Sequence, residues 1–206
     1  GLAITLSLLN LIMVPLIVEQ KEVQHQRAIV DEIAEEVLRE HGLSREQLPY
    51  RVGTMIELPA AALQARKIAE TAEFFSFGTN DLTQTTLGIS RDDATGFLPR
   101  YLEEGIFEDD PFVTLHPAVK ELMMMGVARG RATNPGLKIG ICGEHGRDPK
   151  SIVIAHRIEL DYVSPSSSGV LVARLVAAQA ALDYPTPKPP TKVAINGFGR
   201  VGSNLL

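Results

Sequence analysis

The sequence contains no tryptophan, a single cysteine (Cys142), and only 5% aromatic residues. One cysteine excludes a disulfide framework and any zinc site built on several thiolates. There is no basic excess either: 20 Lys and Arg face 25 Asp and Glu, a formal net charge of −5. A nucleic-acid binder neutralises phosphates with clustered cations, so this balance argues against one. No internal repeat is found. Hydrophobic residues at 45% and charged residues at 22% are ordinary globular values and argue against disorder. The length of 206 residues falls short of the roughly 250 that a closed eight-fold β/α barrel needs. It allows one medium domain or a piece of something larger.

One long uncharged run is present, residues 1–18 (GLAITLSLLNLIMVPLIV). It borders on the length of a membrane span. Asn10 and Pro15 favour a buried strand over 12–17 instead, and no basic region precedes the run as in a signal peptide. A membrane partner is therefore not expected. The chain opens on Gly1 rather than Met, and no targeting region is recognised. We expect a cytoplasmic protein, with an organellar location left open.

From Gln20 the apolar period changes to three and four, through Val23, Val30, Ile33, Ala34, Val37 and Leu38, with Gly42 as a stop. This predicts an amphipathic helix. Strands are expected over 52–58, 74–77, 138–142 and 161–164, and helices over 60–72, 115–131, 151–159 and 170–182. Strand and helix alternate five times, which implies a parallel α/β sheet with crossover helices. Polar residues stand just past the strand ends: Glu57, Thr79, Asn80, Asp81, Glu144 and His145. In parallel β/α architectures the functional rim lies there.

Glu57 and Asp81 end two different strands. Two carboxylates with substrate oxygens and waters suit Mg²⁺; the alternative is that Asp81 caps the next helix. Gly78 before Thr79, Asn80 and Asp81 would let the backbone approach a ligand closely. Cys142 is either an inert core residue or, beside Gly143, Glu144 and His145, an acid or nucleophile. Glu144 and His145 either orient the thiol or serve as loop caps.

Residues 74–94 (FFSFGTNDLTQTTLGISRDDA) resemble the signature of enzymes that use phosphoenolpyruvate. Residues 53–63 (GTMIELPAAAL) and 138–146 (KIGICGEHG) resemble two further blocks of that family. GISRDDA, CGEHG and LVARLVAAQAAL favour its pyruvate, phosphate dikinase branch over phosphoenolpyruvate synthase or phosphotransferase-system enzyme I. The similarity runs from about residue 12 to 182. It implies the carboxyl-terminal portion of a TIM-type (β/α)8 barrel, about five units, that binds pyruvate and phosphoenolpyruvate. The implied activity interconverts ATP, phosphate and pyruvate with AMP, pyrophosphate and phosphoenolpyruvate. The implied partners are a phosphohistidine domain of the full-length enzyme and a second copy, as a homodimer through the barrel.

By the same resemblance, Glu57 and Asp81 match Mg²⁺ ligands and also contact substrate. Gly78, Thr79 and Asn80 match the substrate-binding segment, and Cys142 matches the acid/base at the pyruvate methyl carbon. The family carries a basic residue where this chain has Gly169, and GLAITLSLLN does not look like the family.

Beyond the barrel portion, assigned to 1–184, residues 185–191 hold four prolines in the stretch Pro185 to Pro190 and form a semi-rigid linker. Residues 192–206 (KVAINGFGRVGSNLL) resemble the start of glyceraldehyde-3-phosphate dehydrogenase. Gly197, Gly199 and Gly202 fit the dinucleotide-binding turn of a truncated Rossmann-like fold. That tail alone carries an NAD-dependent reading, and a non-catalytic dimerisation module is a further alternative. A partial barrel leaves an edge unpaired and part of its core uncovered. The 206-residue chain on its own is therefore expected to show little or no dikinase turnover in a coupled pyruvate assay; a full rate would overturn this.

Overall fold

The computed structural model describes residues 10–186 and the backbone of 192–193. The expected Pro-rich stretch beyond Thr186 and the glycine turn Gly197, Gly199 and Gly202 lie outside the described residues.

The chain alternates strand and helix: β1 (Asn10–Val14), α1 (Gln20–Glu40), β2 (Tyr50–Ile56), α2 (Pro59–Ile68), β3 (Phe74–Gly78) and α3 (Thr79–Leu87) come first. Two short helices, α4 (Arg91–Ala94) and α5 (Leu98–Glu103), precede α6 (Pro117–Thr133). Then follow β4 (Lys138–Cys142), α7 (Pro149–Arg157), β5 (Tyr162–Ser164), α8 (Val170–Asp183) and the two-residue β6 (Lys192–Val193). The strands form one sheet in chain order, every pair parallel. This is the expected α/β architecture. Lys192 and Val193 extend the same sheet beside β5. The uncharged amino-terminal run enters β1 as a strand, and no helix among the described residues is long and apolar enough to cross a membrane.

The local signals explain the boundaries. Glu22 accepts the backbone N–H of both Val18 and Glu19 at 2.7 Å, which closes the first turn of α1. Pro59, Pro117 and Pro149 each sit in the first turn of a helix, where a missing N–H costs nothing. Gly88 ends α3 in the left-handed conformation, φ 66°.

Side chains alternate across the strands. Phe75, Phe77, Ile139, Ile141 and Val163 face the helices and form the main core with α2, α6, α7 and α8. The opposite face is lined more tightly. A Cβ on Gly140 would fall 2.2 Å from the Tyr162 ring, and one on Gly53 would fall 2.4 Å from the Phe74 ring. Large rings on neighbouring strands therefore lie over glycines. At β1 the same alternation leaves Leu11 40% and Met13 37% exposed. Among the described residues β1 pairs only with β2.

The segment 91–113 folds into α4, α5 and a small apolar cluster of its own, Ala94, Leu98 and Phe112. It packs beside the carboxyl ends of the strands and shapes the site below.

Gly126 and Gly130 bring α6 onto β3: Cβ atoms there would lie 3.0 Å from Phe77 and 2.8 Å from Phe75. Alanine is a better helix former than glycine by about 1 kcal/mol. Overpacking a fixed core ring costs about 1–3 kcal/mol. The packing cost dominates, so Gly130→Ala should reduce the protection of α6 amides in hydrogen exchange. Increased protection would show that propensity wins.

Candidate functional site at the carboxyl ends of the strands

The expected site residues lie on one rim, at the ends of β2, β3 and β4. Glu57 follows β2 and is 2% exposed. A Cβ on Gly78 would stand 2.5 Å from Glu57 Oε2. Gly78 has an ordinary negative φ of −82°. The position thus requires glycine for room rather than for backbone freedom: the carboxylate lies over it. Gly78 is in turn the register partner of Cys142. Carboxylate, glycine and thiol therefore follow one another across three adjacent strands.

Glu57 Oε1 accepts the backbone N–H of Leu16 at 2.7 Å. Burial pushes its carboxyl above the ordinary value, against that hydrogen bond, and Asp81 raises it further by its charge and by a hydrogen bond. Two carboxyls so placed can share a proton or a cation between them. This donor set fits Mg²⁺, which takes one or two carboxylates and completes its shell with water and substrate oxygens.

Helix α3 starts directly at the strand end, so Thr79, Asn80 and Asp81 form its first turn. Its N-cap is Gly78, which has no side chain. Asp81 therefore sits inside the first turn, where the helix dipole favours a negative charge, rather than at the cap. It is exposed, and Gln84 Nε2 donates to its Oδ1 at 3.2 Å.

Thr79 is fully buried. Its hydroxyl faces the Cys142 carbonyl at 3.1 Å and His145 Nδ1 at 2.8 Å. His145, also fully buried, places Nε2 2.9 Å from the Pro111 carbonyl. That carbonyl can only accept, so the neutral ring carries its proton on Nε2 and presents Nδ1 as an acceptor; the Cys142 carbonyl and Nδ1 then share the single proton of the Thr79 hydroxyl. His145 thus ties the 91–113 segment to the end of β3. It does not touch the thiol.

Asn80 Oδ1 accepts from the Glu144 backbone N–H at 3.2 Å and from Arg91 Nη2 at 3.3 Å. Gly143, at φ 108°, makes this approach possible; a Cβ there would crowd Thr79 Oγ1 at 3.0 Å and Asn80 Oδ1 at 3.1 Å. The Glu144 side chain turns away, to Arg147 at 2.8 Å. Glu144 therefore contributes its backbone to the site.

Cys142 is 7% exposed, and its thiol donates to the Phe77 carbonyl at 3.5 Å. Burial pushes the thiol pKa up, opposed by the Ser76 hydroxyl and reinforced by the charges of Glu57 and Asp81. The thiol is protonated at rest. Below it, Tyr162 lies over Gly140 and donates to the Phe75 carbonyl at 3.0 Å.

Several residues here escaped sequence reasoning: Gln84, Arg91, Tyr162 and Arg147. Only the quoted 74–94 string contained two of them, Gln84 and Arg91. At Gly169, where a basic residue was expected, a Cβ would fall 2.7 Å from the Cβ of Arg147. The cation at that corner of the rim is Arg147. An open cleft of about 910 Å³, lined by Arg91, Leu98, Phe112, Glu144 and Arg147 among others, adjoins the rim. It meets the site at Asn80, through Arg91 and Glu144.

The family model for the PEP-binding domain of PEP-utilising enzymes matches residues 5–182. The chain belongs to the PEP-utilising enzyme family. It is 54% identical over 173 residues to the pyruvate, phosphate dikinase of Clostridium symbiosum, covering 84% of this chain and 20% of that protein. It is equally 54% identical over 173 residues to the pyruvate, phosphate dikinase of Rhizobium meliloti (strain 1021), covering 84% of this chain and 19% of that protein. The chloroplastic pyruvate, phosphate dikinase of Flaveria pringlei is 51% identical over 172 residues, covering 83% and 18% respectively. The chain spans about a fifth of the length of these relatives.

Burial holds the His145 pKa below its ordinary value of 6.5, against a smaller opposing effect of the Pro111 hydrogen bond. The folded state thus resists a proton that the unfolded chain accepts. The stability from the neutral ring is full above the ordinary histidine range and is lost as pH falls through 6.5 towards the folded value. NMR of the imidazole should show the proton on Nε2 at neutral pH and titration below 6.5. A midpoint at or above that value would contradict the buried neutral ring.

Proposed function

We propose that this PEP-binding domain provides the pyruvate and phosphoenolpyruvate site of a pyruvate, phosphate dikinase. In the full-length protein it would be part of a TIM-type barrel served by a phosphohistidine domain. The observation that carries this reading is the succession Glu57, Gly78 and Cys142 across β2, β3 and β4: a carboxylate pair on one side, a thiol on the other. The names of the relatives support the reaction class.

Glu57 and Asp81 would hold magnesium, which supplies positive charge against a developing enolate oxygen. Asn80 and the first turn of α3 bind and orient the carboxylate and oxygen atoms of the substrate. Towards phosphoenolpyruvate, the Cys142 thiolate takes a methyl proton and the C–H pair becomes the C=C bond of the enolate. The enolate oxygen then bonds to phosphorus as the phosphorus–nitrogen bond of phosphohistidine breaks. In reverse, the Cys142 thiol returns its proton to the methylene carbon. Burial favours the thiol, so the resting group is an acid. The thiolate share, and with it proton removal, rises with pH. A homodimer is part of the proposal; exposed Leu171, Leu175 and Leu182 on α8 offer contact area.

In a full-length protein carrying this domain, Cys142→Ala should slow pyruvate methyl-proton exchange by about 10²–10⁴-fold, the usual contribution of a positioned acid or base. Pyruvate binding should stay within a few-fold. NMR of exchange in heavy water reads the rate, and an unimpaired rate would remove Cys142 from the mechanism.

A further inference from the structure

We propose that Arg91, supported by Gln84, is a positioning residue that sets the Asn80 carboxamide for substrate. This rests on the pyruvate reading of the site and deepens it. A carboxamide has two faces of opposite character, an acceptor oxygen and a donor nitrogen, and a half-turn exchanges them. Two groups face one end of Asn80: the Glu144 backbone N–H at 3.2 Å and the Arg91 guanidinium at 3.3 Å. Neither can accept a hydrogen bond. The oxygen must therefore point at them. The Asn80 NH₂ is left free of hydrogen bonds among the described residues, as a donor for substrate oxygens.

Arg91 is itself held in place. Gly88, at φ 66°, ends α3 and turns the chain back along it. The Arg91 backbone N–H then donates to Gln84 Oε1 at 2.8 Å. This fixes the Gln84 amide in turn, so that Nε2 faces Asp81 Oδ1 at 3.2 Å. The four residues form a closed circuit: Asp81 to Gln84, Gln84 to Arg91, Arg91 to Asn80, and Asn80 to Asp81 through the backbone. The guanidinium also stacks over the Phe112 ring, 5.3 Å from its centroid, which anchors it to the 91–113 segment. Only the first of its two attachments bears on substrate.

A double-mutant cycle separates positioning from packing. In the full-length protein, Arg91→Met should lower kcat/KM for pyruvate by about ten- to a hundred-fold, the usual loss for a hydrogen bond to a charged group. Asn80→Ala should cost a similar factor. In the Asn80→Ala background, Arg91→Met should add about two-fold or less, because no carboxamide remains to be oriented. Arg91→Lys, which keeps a cationic donor, should recover part of the loss. The melting temperature of each variant accompanies the kinetics. Additive losses, or equal losses for Met and Lys that track a fall in melting temperature, would overturn the proposal and leave Arg91 a packing residue. A wild-type protein that neither binds pyruvate nor exchanges its methyl protons would overturn the pyruvate reading and this proposal together.

Discussion

The buried Glu57 carboxylate is the contact on which the rest of the rim depends. It lies over Gly78, with no room for a Cβ beneath it. Its other oxygen draws in the backbone N–H of Leu16. Leu16 adopts a positive φ of 55°, a costly conformation for a branched residue. A buried carboxylate is itself expensive to leave without partners. The two costs offset each other: the turn after β1 is strained, and the strained N–H meets a charge that needs it. One side chain thereby joins β1, β2 and β3 at the end where the chemistry is proposed.

A second set of contacts grips the same rim from outside the sheet. The 91–113 segment has its own small core and, besides the Arg91 backbone N–H on Gln84, holds the rim at two points, Arg91 on Asn80 and the Pro111 carbonyl on His145. Both points meet the first turn of α3, one directly and one through Thr79. At this turn the Asn80 oxygen and, through Thr79, the His145 Nε2 proton are assigned by neighbours that can act in only one sense. Buried networks of this kind define a single arrangement when complete. A segment that could pass for a surface insertion is therefore the back wall of the site. Loops positioned by a rigid scaffold commonly carry function.

Much of this was legible along the chain. Short continuous apolar runs and apolar residues three and four apart located β2, β3, β4 and the long helices to within a few residues, because a strand covered on both faces and a one-sided helix leave different patterns. The rim residues were legible because parallel sheets put their polar ends on one side. Less legible were partners distant in sequence. Nothing local marks Tyr162 as the ring that fills the space over Gly140, or Arg147 as the side chain that occupies the place beside Gly169. From the sequence Gly78 would let the backbone approach a ligand closely, and only packing shows that it makes room for Glu57.

By itself the sequence determined the class of fold, the order of its strands and the identities of the carboxylates, the carboxamide and the thiol at their ends. Composition, periodicity and a few short strings are local properties, and they carry that much. Tertiary structure alone decided which of these groups face one another, that Asp81 lies within a helical turn rather than at its cap, and which end of Asn80 is free. Some of those outcomes join residues more than sixty positions apart, such as Asn80 with the Glu144 backbone and Thr79 with His145, brought to one rim by strand register. Hydrogen-bond direction is a property of the assembled pair and is not written in either residue.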